Sequence, residues 1–129
     1  MTITLPIYYT QEFKTKKDKT FLVSLNWYRN AYYHEQNNVK KYYTELLTPI
    51  LETLSAIPGA YEITYVYYYK NSASDLPNVT PMCSKWVNDV LQSLGKVTND
   101  NVQFLQREVH EVGGKDRDNP RVEITLKEV

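Results

Sequence analysis

The sequence predicts one α+β domain in the order ββ-α-β-α-ββ, a mixed or mostly antiparallel sheet with helices packed on one face. Three observations carry this expectation. The segment "YEITYVYYYK" at 61–70 alternates and is rich in β-formers. Apolar stripes at helical spacing lie before and after it. Pairs of β-rich segments stand at both ends of the chain. A length of 129 residues makes a single compact domain the default. With 42% hydrophobic and 23% charged residues the chain has the composition of a folded core, not of a disordered segment.

Residues 2–9 and 20–26 ("TFLVSLN") read as the first two strands, joined by the lysine-rich turn "KTKKDK" at 14–19. The following "LNWYRNAYYHEQNN" (25–38) is polar and aromatic without a clear period, and reads as a loop. A helix is expected from Val39 to Leu54, with Tyr42, Tyr43, Leu46, Leu47, Ile50 and Leu51 on one face. Pro49 inside that pattern either kinks the helix or opens a second one, with Thr48 as its cap. "PGAY" at 58–61 is a turn before the central strand. Thr80-Pro81 has the chemistry of a helix start, and Met82, Cys83, Trp86, Val87, Val90, Leu91 and Leu94 form a broad apolar arc ended by Gly95. Strands near 102–112 and 120–127, linked by "GGKDRDNP", close the chain.

Composition excludes several classes of function. No apolar run approaches the ~20 residues of a membrane span, and "MTITLPIYY" lacks a charged leader, so a cytoplasmic protein without a membrane role is expected. One cysteine, Cys83, excludes an internal disulfide and fits a reducing compartment. With His34 and His110 as the only histidines, a zinc site of Cys and His is excluded. A net charge of zero argues against a strongly basic nucleic-acid binder, although local patches can still contact phosphate. Tyrosine is the outlier, with 12 residues against 3 Phe and 2 Trp.

Four stretches, in order along nearly the whole chain, resemble the RusA-type Holliday-junction resolvases, in particular their phage and prophage branch. They are "SLNWYRNAYY" (24–33), "SDLPN" (74–78), "KWVNDVL" (85–91) and "NDNVQF" (99–104), and the closing "GGKDRDNPRVEITL" (113–126) is similar as well. The resemblance implies a homodimeric, magnesium-dependent endonuclease cleaving branched DNA, with manganese as a substitute, in the cytoplasm of a bacterial host. The family motif is two aspartates separated by one residue, a helix lysine and a later aspartate in an acidic pair. Asp75 matches the first aspartate, Lys85 the lysine and Asp100 the later aspartate. Pro77 stands where the second aspartate is expected, and Asn99 where the acidic pair begins.

Magnesium is a hard cation that takes oxygen ligands, so Asp75 and Asp100 are the candidate metal ligands, with Asn78 (through its amide oxygen) or Asp89 as a replacement for the missing carboxylate. Lys85 would stabilise charge on a phosphate or orient the attacking water. The simpler readings are that Asp75 and Asp100 are cap or turn residues, and that Lys85 and Asp89 are an ordinary i, i+4 pair. An expected helix over 81–94 holds Asp75 and Asp100 apart by roughly 20 Å, so they meet only through a folded-back loop or a second subunit. For DNA contact the candidates are Lys14, Lys16, Lys17 and Lys19 at the hairpin tip, and Asn26, Arg29, Asn30, Lys40 and Lys41 around the aromatic segment. Trp27, Tyr28, Tyr32 and Tyr33 could stack on opened bases or be buried in core or dimer contacts. The alternatives to an endonuclease are a relative that binds junctions without efficient cleavage, or an interaction protein with no DNA role.

Overall fold

A computed structural model describes residues 2–129. Strands β1 (Thr2–Pro6), β2 (Tyr8–Gln11) and β3 (Lys19–Leu22) are followed by helices α1 (Leu25–Asn30) and α2 (Tyr33–Leu51). Strand β4 (Tyr61–Tyr69), helix α3 (Leu76–Ser93) and strands β5 (Leu105–Lys115) and β6 (Arg121–Glu128) complete the chain. The main sheet has the order β1-β6-β4-β5, and β2-β3 form a separate hairpin. β6 runs antiparallel to both neighbours, whereas β4 and β5 are parallel. The sheet is therefore mixed, because the long crossover through α3 returns the chain in the same direction.

Alternation along β4 sets the architecture. Tyr61, Ile63, Tyr65 and Tyr67 are all buried beneath the helices, while Glu62, Thr64, Val66 and Tyr68 occupy the other face. Ile3 and Leu5 of β1 and Val122 and Ile124 of β6 extend the buried face. Val39, Tyr43, Leu47 and Leu51 of α2 and Val79, Cys83, Trp86, Val87, Val90 and Leu91 of α3 cover it. Tyr43 joins three elements. Its ring stacks on Trp86 at 5.3 Å and its hydroxyl donates to the Pro6 carbonyl at 2.7 Å.

Several local expectations are corrected. The first strand divides at Ile7, so that β1 enters the main sheet and β2 turns away to pair with β3. The second strand ends at Leu22, because Ser24 caps α1 by accepting the Trp27 amide at 3.0 Å. Residues 25–38 are helical for most of their length, not a loop. Pro49 sits within α2, which runs unbroken to Leu51, and Thr48 is no cap: its hydroxyl donates to Thr44. Helix α3 starts at Leu76, earlier than Thr80-Pro81. Pro77 occupies its first turn, where no intrahelical N–H is needed, and the buried Thr80 donates its hydroxyl to the Leu76 carbonyl. The helix ends as expected. Gly95 has φ 68°, the Lys96 amide reaches Leu91 at 2.9 Å and the Gly95 amide reaches Gln92 at 3.0 Å, a Schellman termination. Gly113 and Gly114, expected in the closing turn, belong to β5.

Candidate nucleic-acid interface

The N-terminal half of α3 packs against α1, and the contact is made by residues 52 positions apart in sequence. The Asn26 amide donates to Asn78 Oδ1 at 3.0 Å, while Ser24 Oγ receives the next amide, that of Trp27. Two of the unpaired N–H groups at the start of α1 are thus satisfied, one by its own cap and one by α3. Asn30 holds the other end of this short helix through its side-chain amide, which donates to the Asn26 carbonyl at 2.8 Å. Asn26, Asn30 and Asn78 therefore have structural partners within the α1–α3 joint.

Asp75 precedes this joint as the residue before the first turn of α3, and it is exposed. Its carboxylate makes no cap hydrogen bond. The loop leading to it is secured by other groups: Tyr67 donates its hydroxyl to Ser74 at 2.8 Å, and Asn71 accepts the Ala73 amide. Asp100 is similar. The turn around it is built by Asn99 and Asn101, whose side chains accept the Asn101 and Gln103 amides, each at 3.0 Å. The turn role that would account for Asp100 thus falls to its neighbours, while Asp75 holds the N-cap position of α3 without a side-chain cap bond.

The two aspartates are nevertheless far apart within the chain. Asp75 follows the C-terminal end of β4, just before the first turn of α3. Asp100 lies beside the N-terminal end of β4, where the Tyr61 amide is bonded to the Phe104 carbonyl at 2.8 Å. The loop does not fold back. The 18 residues of α3 span about 27 Å. By the same rise, Asp89 is ~21 Å along the helix from Asp75 and Lys85 is ~15 Å along it. Of the candidate ligands, the helix brings only Asn78 within one turn of Asp75. Among the described residues no group of three His, Cys, Asp or Glu side chains is gathered. One chain by itself does not fit a magnesium site.

Lys85 belongs to a different grouping. Its ammonium lies 3.5 Å from Asp89 Oδ2 and 5.9 Å from the centre of the Tyr28 ring. Tyr28, Tyr33, Gln36, Asn37, Lys40, Lys85 and Trp86 line a cleft of about 160 Å³ between the start of α2 and the middle of α3. A wider cleft of about 590 Å³ continues along the same helices past Lys40, Thr44, Asp89 and Gln92. Lys40 and Lys85 border both. Lys41 is directed elsewhere, to a cleft with Tyr9, Asn38, Tyr42 and Glu45.

The aromatic segment divides in the same way. Trp27 is structural: it stacks on Phe21 at 5.2 Å and donates its indole N–H to Glu35 at 2.6 Å. Tyr32 and Tyr33 are 85% and 72% exposed at the corner between α1 and α2, next to the exposed Arg29. Lys14, Lys16 and Lys17 are exposed at the β2–β3 tip, with the Lys16 ammonium over the Phe13 ring, whereas Lys19 is paired with Glu35 at 3.3 Å. The cleft residues Gln36 and Asn37 were not singled out from sequence, since a segment read as a loop has no facing helix. Helical indexing of residues 33–40 with Tyr33, Gln36, Asn37 and Lys40 on one side was the available signal.

Neither a family model nor a curated protein matches the chain. No helix of the described residues is long and apolar enough to cross a membrane. The fold is an α+β domain with a mixed sheet.

Proposed function

We propose that this chain is a subunit of a RusA-like endonuclease acting on branched DNA, with Holliday-junction resolution as its reaction. The observation that supports this most is the α1–α3 joint. It unites the Asn-containing segment at 24–33 with the acidic segment at 74–78 and leaves the Asp75 carboxylate without a local role. Around the joint, Arg29, Lys40 and Lys85 supply cations for phosphate contact, and Tyr32 and Tyr33 supply faces for unpaired bases at a branch point. Such stacking tolerates sequence variation, as a structure-selective protein requires.

Cleavage by way of Mg²⁺ or Mn²⁺ requires carboxylates that one chain does not bring together. A second subunit would have to bring its Asp100 to the Asp75 of the first, and a two-fold arrangement would suit the near-symmetric junction. The second reading, a junction binder without efficient cleavage, is favoured by Pro77. It contributes to the helix start and has no side-chain oxygen for a metal.

Incubation with a synthetic four-way junction, with and without Mg²⁺ or Mn²⁺, separates these readings. The endonuclease gives paired cuts that Asp75→Asn abolishes, and mixing Asp75→Asn with Asp100→Asn subunits restores part of the activity. Structure-selective binding without cuts identifies the binder. Neither binding nor cutting overturns both.

A further inference from the structure

From the edge of the main sheet we infer that a second copy of this chain pairs with β5, antiparallel and two-fold symmetric about Val109. β5 is an edge strand, bonded to β4 on one side only, and Gln106, Arg107, Glu108, Glu111, Val112 and Lys115 along it are exposed. Open edges are commonly protected by charge, and an edge of mixed charge resists pairing unless its signs match. Here they match the strand's own reversal. Centred on Val109, Arg107 stands opposite the partner's Glu111, and Glu108 opposite the partner's His110. Centring on Glu108, Arg107 or Glu111 sets like charges face to face, and centring on His110 loses the match, placing Glu108 opposite the partner's Val112 and Arg107 opposite the partner's Gly113.

Two further observations favour this centre. The ladder between β4 and β5 is regular from Arg107 to Val112 and shifts register on either side, so the undistorted part of the edge is the part whose charges are self-complementary. On the helix-covered face the edge also carries apolar surface. Val112 is 57% exposed, and a shallow apolar cleft lies between His110 and Leu76, Pro77 and Pro81 of α3. His110 Nδ1 is buried there without a hydrogen-bond partner, on the residue that would face the partner's Glu108.

Opposed residues in such a pair share a face, so both sets of helices lie on one side of a continuous eight-stranded sheet, twice the four strands of one chain. The rotation also carries the loop before the partner's β5, with its Asp100, toward the sheet end that holds Asp75. That consequence rests on the proposed function, but the interface does not.

Sedimentation velocity of the full chain tests the pairing without reference to cleavage. A dimer is expected. Arg107→Glu and Glu111→Arg should each weaken association at least tenfold, and the double variant should recover it. Circular dichroism checks that each variant is folded, and an unfolded single variant leaves Val109→Cys as the deciding measurement. Under mild oxidation that variant should form a disulfide-linked dimer, while Val102→Cys, off the edge, should not. A monomeric wild type overturns the proposal. So does a dimer that withstands both charge reversals and yields no Val109→Cys crosslink.

Discussion

Asn88 shows how a buried polar side chain can be fully accounted for. It accepts the Tyr61 hydroxyl at 2.8 Å and donates to the Ser84 carbonyl at 2.9 Å, although only 2% exposed. Replacing it by alanine strands a buried phenol, so Asn88→Ala should destabilise the fold by ~1–3 kcal/mol. Urea unfolding followed by tyrosine and tryptophan fluorescence measures this, and an unchanged midpoint would contradict the assignment. Asn88 had no distinguishing mark in the sequence, because an asparagine on the flank of an apolar arc is ordinarily solvated. Asp75 was legible as a candidate, and it stands at the N-cap position of α3, yet its carboxylate makes no cap hydrogen bond. Pro77 changes meaning as well: it lies in the first turn of α3, where it favours the helix start.

Helices α1 and α2 demonstrate why an element can be invisible to periodicity. The first two turns of α2 carry His34, Asn37 and Asn38 to solvent, and its buried stripe begins only at Val39. With no apolar repeat to detect, residues 25–38 resembled a loop. The Ser24 cap and the long-range bond that the Asn26 amide donates to Asn78 are what define α1. The corner this creates has a testable role. Tyr32→Ala and Tyr33→Ala remove exposed rings that no core contact needs, so thermal stability should be nearly unchanged. Affinity for a four-way junction should fall by about tenfold per ring, since base stacking contributes ~1–3 kcal/mol. Fluorescence anisotropy with a labelled junction reads this, and unchanged affinity would remove the tyrosines from the DNA-contact surface. Trp27 is no substitute for this test, because it is held between Phe21 and Glu35.

For the molecule as a whole, four of the twelve tyrosines, Tyr43, Tyr61, Tyr65 and Tyr67, are buried in the core, and this makes stability sensitive to alkali. Burial, with the charges of Asp100 and Glu108, pushes the Tyr61 phenol from its ordinary 10.0 up to about 12. Burial likewise pushes the Cys83 thiol from 9.0 up to about 12, and raises Tyr43 and Tyr65. Each is an acid kept in its neutral form by folding and released to ionise on unfolding. Its contribution is therefore complete below the unfolded value and is lost as pH rises through the folded one. Urea midpoints should hold up to about pH 9 and fall steadily toward about pH 12. A midpoint independent of pH across that interval would show that these groups are not buried as described. The same core separates Asp75 from Asp100, since β4 and α3 pack together and the two residues stand at opposite ends of each.

The sequence by itself determined the α+β class, the central strand with its inward tyrosines, the apolar arc of α3 and its glycine stop. All of these follow from local rules: alternation, helical spacing and the conformational freedom of Gly95. It also marked Asp75, Lys85 and Asp100 as one candidate group. Only the tertiary structure decided that these three are not neighbours in one chain, that Asn26 meets Asn78, and that Lys85 shares a cleft with Lys40 and Tyr33. Those facts depend on contacts between distant segments and on the parallel return of β5, which no short-range pattern encodes.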